Sequence, residues 1–335
     1  MVAGCWDRKE IEDRSTVIAL GIDRAESQPL RVVAFVVVPR RPEGGSSGRS
    51  SRLVTASAST FAAALDQVQR EVKGPLALGQ IRLILLGRRL GATELGLAVR
   101  GLGRYPSIRL DALVAAVDAE LEEVFSLSPG EEELLPLHAA KLLASEISLG
   151  NVPQSSLGKF IADHLDVGIA PVVPRFVVKD GSLGVDGMVV YPLQGAPTTL
   201  STEQTKAYLL ATGQRARVIT FMTGGNGTVA KLVKNNSRIN VSKHENGYLT
   251  AQVACHVEAD LVEGELLSEE DGARQLEDQI REVIKSAQAA GADIIGLGRY
   301  ALPLFPSRDK AEANSLFSSA RVEVRVNYIW RRKGS

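Results

Sequence analysis

The chain has only two cysteines, Cys5 and Cys255, and they form no metal-binding spacing. Its four histidines, His138, His164, His244 and His256, show neither H-x₃-H nor H-E-x-x-H spacing, so nothing marks a zinc site. Aromatic residues make up 5%, with no stacking platform for single-stranded nucleic acid. Charge of one sign is not in excess: Lys+Arg and Asp+Glu number 39 each, which argues against a nucleic-acid partner. No apolar run approaches the ~18 residues of a membrane-spanning helix, so membrane contact has to come through an anchor or a partner. The phosphate-loop pattern G-x-x-x-x-G-K-[ST] is missing, and so is a complete G-x-G-x-x-G after a strand; no cofactor is indicated. A formal G-x-S-x-G, Gly44 to Gly48, sits in a Gly/Ser/Pro loop without the strand and helix that a nucleophile elbow needs. No catalytic residue emerges, and the chain reads as a non-enzyme.

What is present suits globular cores. With 335 residues, 44% of them hydrophobic, there is length for two domains or three. Near-continuous apolar runs at 16–23 and 30–38 read as buried strands of a hairpin. A strand at 53–57 precedes a helix capped by Ser59 or Thr60, with Phe61, Leu65, Val68 and Val72 on one face. Strands at 81–86 and 108–117 alternate with helices at 93–100 and 119–125. Helices at 136–148 and 155–165 follow, then strands at 172–178 and 187–191. The expected fold class is α+β, a mixed α/β multi-domain chain with mixed sheets and packed helices. The expected division is a tether at 1–14, an N-terminal mixed domain at 15–195 with room for two subdomains, and a C-terminal α+β domain at 196–335.

The C-terminal domain starts with a helix introduced by Ser201-Thr202-Glu203-Gln204. Strands are expected at 217–222, 228–234, 238–243 and 248–262, with Asn246-Gly247 as a hairpin turn. Along the last of these, Leu249, Ala251, Val253, Cys255 and Val257 share one face, so Cys255 reads as a small core residue. Ser268 caps a long helix at 269–290, whose buried stripe is Leu276, Ile280, Val283, Ile284 and Ala287. The final strand alternates from Val322 to Trp330. The result is a largely antiparallel sheet with one long helix laid on it. Between that helix and the final strand, Asp293, Gly296 and Gly298 stand out as structural turn residues: Asp293 to accept backbone N–H groups, the glycines where φ > 0 or close approach is needed. Gly-Leu-Gly-Arg-Tyr occurs at both 101–105 and 296–300, read as two glycine turns rather than a structural repeat.

Near the start, Val2-Ala3-Gly4-Cys5 has the form of a bacterial lipobox, whose cysteine thiolate takes a diacylglyceryl group. Two acyl chains give stable anchoring, since each buried CH₂ adds about 0.8 kcal/mol. Only four residues precede Cys5, fewer than the charged and apolar regions of a signal peptide require. Three stretches together resemble the Ger(x)C family, the C subunits of bacterial spore germinant receptors. They are Gly4-Cys5-Trp6-Asp7-Arg8 with Gly21-Ile22-Asp23; Ala63 to Ile81 with Tyr105-Pro106-Ser107-Ile108-Arg109; and Ile284 and Gln288 followed by residues 292–298. A tryptophan usual after the Gly-Leu-Gly turn is replaced here by Leu316-Phe317.

The resemblance implies a lipoprotein attached through Cys5 to the outer face of the spore inner membrane, its signal peptide cut from this sequence or lost to a misplaced start. It implies two multi-span partners, the A and B receptor subunits, and a scaffold or coupling role in nutrient-triggered germination. Two rivals stand beside it: a solute-binding lipoprotein that itself captures a small nutrient, and a soluble cytosolic hydrolase.

Overall fold

The structure, a computed structural model, describes residues 14–39, 49–128, 134–223, 226–243, 249–301, 304 and 310–331. The fold is α+β. Its contacts group the chain into two units: residues 1–141 with 177–184, and residues 142–176 with 185–335.

In the first unit, the apolar runs near the N-terminus form β1 (Ser15–Asp23) and β2 (Leu30–Pro39), paired antiparallel as expected for a hairpin. The third strand, β3 (Arg49–Ala58), is twice the expected length and pairs with the whole of β2. Thr60 caps α1 (Phe61–Glu71) by accepting the Ala63 N–H, and Phe61, Ala64, Leu65 and Val68 are its buried face. A two-residue strand, β4 (Leu76–Ala77), and then β5 (Leu83–Leu86) pair parallel with β1. Next come α2 (Ala92–Leu102) and β6 (Leu113–Val117), the latter parallel to β5. The strand order β3-β2-β1-β5-β6 therefore brings the carboxyl ends of β1, β5 and β6 together. Asp23 lies buried there, accepting N–H bonds from Arg24 (2.8 Å) and Arg89 (3.0 Å), and burial pushes its carboxyl above the usual range. Arg31, Arg88 and Arg89 are tied to Glu120 around it. Two helices follow, α3 (Leu121–Ser126) and α4 (Leu135–Leu149), and α4 carries the chain into the second unit.

The second unit opens with α5 (Leu157–Leu165), capped by Ser156. Two neighbouring strands, β7 (Val172–Lys179) and β8 (Ser182–Val190), are joined by a tight turn with positive φ at Asp180 and Gly181 (50° and 73°), and residues 177–184 of this pair are counted with the first unit. A short β9 (Thr198–Leu200) pairs antiparallel with β8 just before α6 (Thr202–Ala211). Ser201 and Gln204 close a reciprocal capping box on α6, as its first four residues suggest.

A four-stranded sheet follows, in the order β10 (Val218–Thr223), β11 (Asn226–Lys243), β12 (Leu249–Glu263) and β13 (Arg321–Trp330). Two of its three pairings are antiparallel; β12 and β13 run parallel. Its inner face carries Leu249, Ala251, Val253, Cys255 and Val257, all buried, under α7 (Glu269–Ala289). The α7 stripe of Leu276, Ile280, Val283, Ile284 and Ala287 is buried as its spacing requires. The Asn246-Gly247 turn lies outside the described residues.

One expectation fails here. Residues 228–234 and 238–243 are not two strands: β11 runs through Asn235-Asn236-Ser237 without a break. These polar residues serve α6. Asn235 Nδ2 donates to the carbonyls of Leu209 (3.1 Å) and Gln214 (2.8 Å), and Ser237 Oγ donates to that of Ala211 (2.6 Å). The last turn of a helix leaves such carbonyls without intrahelical partners, so the polar run satisfies a helix end rather than a loop.

Candidate functional site

The stretch after α7 is built around one carboxylate. Asp293 is 1% exposed and accepts from the N–H groups of Ile295 (3.2 Å), Leu297 (3.0 Å) and Gly298 (2.6 Å). These bonds start α8 (Leu297–Ala301). The backbone reaches that geometry through Gly296, whose φ of 72° disfavours any side chain. Burial outweighs the N–H donors and raises the Asp293 carboxyl to about 6. The Asp293 carbonyl in turn accepts from Ala170 N–H (2.7 Å).

A second set of acids holds α8 from outside. Arg299 donates through Nε to Asp166 (2.8 Å) and through a terminal nitrogen to Asp163 (3.2 Å). The Asp163 side chain is 6% exposed and is bonded also to Lys159, one helical turn before it on α5. The backbones meet at Gly168, where a Cβ would lie 2.3 Å from the Arg299 nitrogen. Only glycine allows that approach. Residues 159–170 and 293–299 therefore form a clasp between segments far apart in sequence.

Beside the clasp lies a pocket of about 530 Å³. Its walls are the end of α6 (Tyr208, Thr212, Gln214), the 294–300 segment and residues 237–240 of β11. Gln214 donates to the Tyr208 hydroxyl (3.2 Å), and burial pushes that phenol up to about 12, keeping it a neutral hydrogen-bonding group. Lys159, Arg238 and Arg299 contribute the lining's charges, all positive. Arg238 is exposed and makes no ion pair among the described residues. With Lys159 and Arg299 paired to Asp163 and Asp166, the pocket offers hydrogen bonds and one cation, Arg238, without an ion pair among the described residues.

The β11 wall changes neighbours along its length. Strand β10 pairs only with residues 226–231 of β11, and Leu232 N–H still reaches the Arg217 carbonyl (2.8 Å). Beyond that, the end of α6 meets β11: Asn235 and Ser237 bond its carbonyls, Gly213 packs against the Ser237 amide, and farther along Lys243 Nζ donates to the Leu304 carbonyl (3.5 Å). Residues 204–244, which include all of β11, contain seven Lys or Arg and no Asp or Glu.

The structure brings Asp293, Gly296 and Gly298 together, the two glycines for different reasons: Gly298 is where the backbone closes on Gly168, whose Cβ would lie 2.6 Å from its carbonyl carbon. Positive φ falls on Gly296 alone; Gly298 lies in the first turn of α8 with helical backbone. Cys5 lies outside the described residues. Cys255 is 3% exposed, its Sγ 3.6 Å from the Leu210 carbonyl, and burial raises its thiol pKa. His256 faces the other side of β12, against Glu258 (3.0 Å). Among the described residues, no cluster of His, Cys, Asp or Glu could hold a metal, and no helix is long and apolar enough to cross a membrane. Sequence reasoning missed Lys159, Asp163, Asp166, Gly168 and Arg299. The i,i+4 spacing of Lys159 and Asp163 was visible, but nothing local tied either to residue 299.

A family model described as the spore germination protein N-terminal domain matches residues 7–178. A second, described as spore germination B3/GerAC-like, C-terminal, matches residues 197–334. Spore germination protein A3 of Bacillus subtilis is 22% identical over 191 residues, 56% of this chain, and the match spans about half of that relative (51%). The YfkR protein of the same organism is 22% identical over 284 residues, covering 79% of this chain and 72% of its own. The crystal structure of the GerBC protein shares the fold, with a TM-score of 0.58 at 15% identity over 93% of this chain and 97% of that one. Matched by family models through both its halves, the chain belongs to the GerAC-like, or Ger(x)C, family of spore germination proteins.

Proposed function

We propose that this chain is a non-enzymatic, lipid-anchored subunit of a spore germinant receptor, required to assemble or couple the membrane subunits A and B. The observation that carries this reading is the family match through both halves of the chain, residues 7–178 and 197–334. The location that goes with it is the outer face of the spore inner membrane. The anchor is Cys5, in Val2-Ala3-Gly4-Cys5. Within this role the Asp293–Gly298 segment holds the second unit together. Affinity capture of a tagged chain from detergent-solubilised spore membranes tests assembly: the A and B subunits should come with it, and their absence would overturn the reading. Labelled palmitate should enter the wild type in its native host and not Cys5→Ala; equal labelling of both would remove Cys5 as the anchor.

The pocket beside the clasp favours a second reading, capture of a small nutrient by this chain itself. It is polar, concave and within the usual range of small-ligand sites, roughly 300–1,000 Å³. A thermal-shift screen with amino acids and sugars separates the two. A saturable shift with one nutrient supports capture, and no shift across the panel supports the assembly role.

A further inference from the structure

We propose that the outer face of the four-stranded sheet, centred on Arg238, Ala254 and Arg325, docks a partner protein through that partner's Asp or Glu side chains. The inference deepens the assembly reading by naming the chemistry of the contact, and it rests on that reading for the partner's source.

The first support is register. Ala254 of β12 pairs with Arg238 of β11 on one side and with Arg325 of β13 on the other. Residues directly opposite one another in a sheet point to the same face, and the next residue along points to the other. Ser237 reaches the Ala211 carbonyl, and Cys255 opposite it is buried, so that pair marks the inner face. Arg238, Ala254 and Arg325 therefore share the outer one, where both arginines are exposed. Strands β11 and β13 lie two strand spacings apart, about 10 Å. Two arginines thus flank a single methyl group, and the space above it is open to whatever meets their guanidinium groups.

The second is charge. The acids that register places on this face are Glu258, Asp260 and Glu323, and each already has a cation. Lys234 and His256 hold Glu258 (3.0 Å each), Arg331 holds Asp260 (2.8 Å), and Arg321 lies 3.7 Å from Glu323. Lys231, at the far end, stands opposite Asp260. Arg238 and Arg325 have no ion pair among the described residues. Around them stand Asn236, Asn240, Gln252, His256 and Asn327, which add hydrogen-bonding groups. A guanidinium matches a carboxylate with two parallel N–H bonds, and arginine is enriched where protein interfaces hold most tightly.

The third is shape, which selects the occupant. Three strands of about ten residues make a face roughly 15 Å by 30 Å. Small-molecule sites are concave, whereas this is the exposed side of a sheet. Two unpaired arginines are fewer than the roughly four to eight cations that bind anionic lipid. A second copy laid on the same face would bring four unpaired arginines together. A carboxylate-bearing protein surface answers all three points. The contact falls below about 1,200 Å², the weak class, which suits partners already held close at one membrane.

The test is carbodiimide coupling in isolated spore membranes, which joins an amine to a carboxylate in contact with it. Arginine does not react, so the probe is the full chain carrying Arg238→Lys and Arg325→Lys, made in its native host beside the wild type. Mass spectrometry should map an amide from residue 238 or 325 to an Asp or Glu of another protein. Added 0.5 M salt should cut its yield by about threefold or more, because exposed ion pairs are screened. The purified lysine variant should melt like the wild type, since the changed side chains are exposed and unpaired. No link from either position overturns the proposal, as do links only to acids of this chain. A link to the A or B subunit supports both the docking face and the assembly reading. A link to an acid of some other protein supports the docking face and overturns assembly with A and B as its source. Sedimentation with phosphatidylglycerol vesicles supplies the last arm: Arg238→Glu with Arg325→Glu should leave vesicle binding unchanged, and a tenfold loss would make this a lipid-headgroup surface instead.

Discussion

At the scale of single residues, close approaches set the sharpest expectations. Gly168 has no room for a methyl group, because the added carbon would meet backbone rather than a movable side chain. Gly168→Ala should therefore destabilise by about 1–3 kcal/mol, the range for overpacking. A lowered urea midpoint with an unchanged slope is the expected record, and an unchanged midpoint would mean that the clasp is looser than its geometry. Cys255 is the opposite case, a small side chain filling a small space between Leu210 and Ser237. Cys255→Ala should cost about 1–2 kcal/mol, less than a Leu→Ala change leaves behind. With its thiol buried and its pKa raised, native Cys255 should resist alkylation until the protein unfolds.

At the scale of elements, the 293–301 turn makes stability depend on pH. Asp293 titrates near 3.8 when unfolded and at about 6 when folded. Between those values the native state holds a proton that the unfolded state has lost, so stability falls as pH rises through the window and levels off above it. The wild type should lose about 2 kcal/mol relative to Asp293→Asn between pH 4 and pH 6. Parallel melting curves for the two proteins across that range would refute the assignment. This element also shows how far the sequence can be read. The Ser201 capping box, the α7 stripe and the alternation of β12 are local patterns, and each is legible. The pentapeptide Gly-Leu-Gly-Arg-Tyr is not: at 101–105 it ends α2, and at 296–300 it opens α8. The difference lies in what surrounds it, a helix already running in one case and a buried carboxylate gathering N–H groups in the other. For the same reason Asn235 and Ser237 looked like a loop, because their partners are carbonyls 21 to 26 residues away. The last helix, α9 (Lys310–Ser319), gave no signal strong enough to be anticipated.

At the scale of the whole molecule, the second unit does not begin where the C-terminal family match does. Residues 142–176 belong to it, including α5 and the acids that grip Arg299. A fragment starting at residue 142 should therefore fold cooperatively. One starting at 196 should melt lower and more broadly, lacking both Asp163 and Asp166. Equal melting of the two fragments would show the clasp to be dispensable. The clasp also has a temporal side. Arg299 meets its partners across 133 and 136 residues of chain. Contacts this distant in sequence form late, after the closure entropy of the intervening chain has been met. Arg299→Gln should then hasten unfolding while leaving the refolding rate nearly unchanged, as for any interaction absent from the transition state. During synthesis, at about 5–20 residues per second, Asp163 and Asp166 wait several seconds or more for the arginine that completes them. The nascent chain thus passes through an interval in which Asp163 and Asp166 lack their arginine although α6 and β11 have already emerged, a period when holding factors have most to protect.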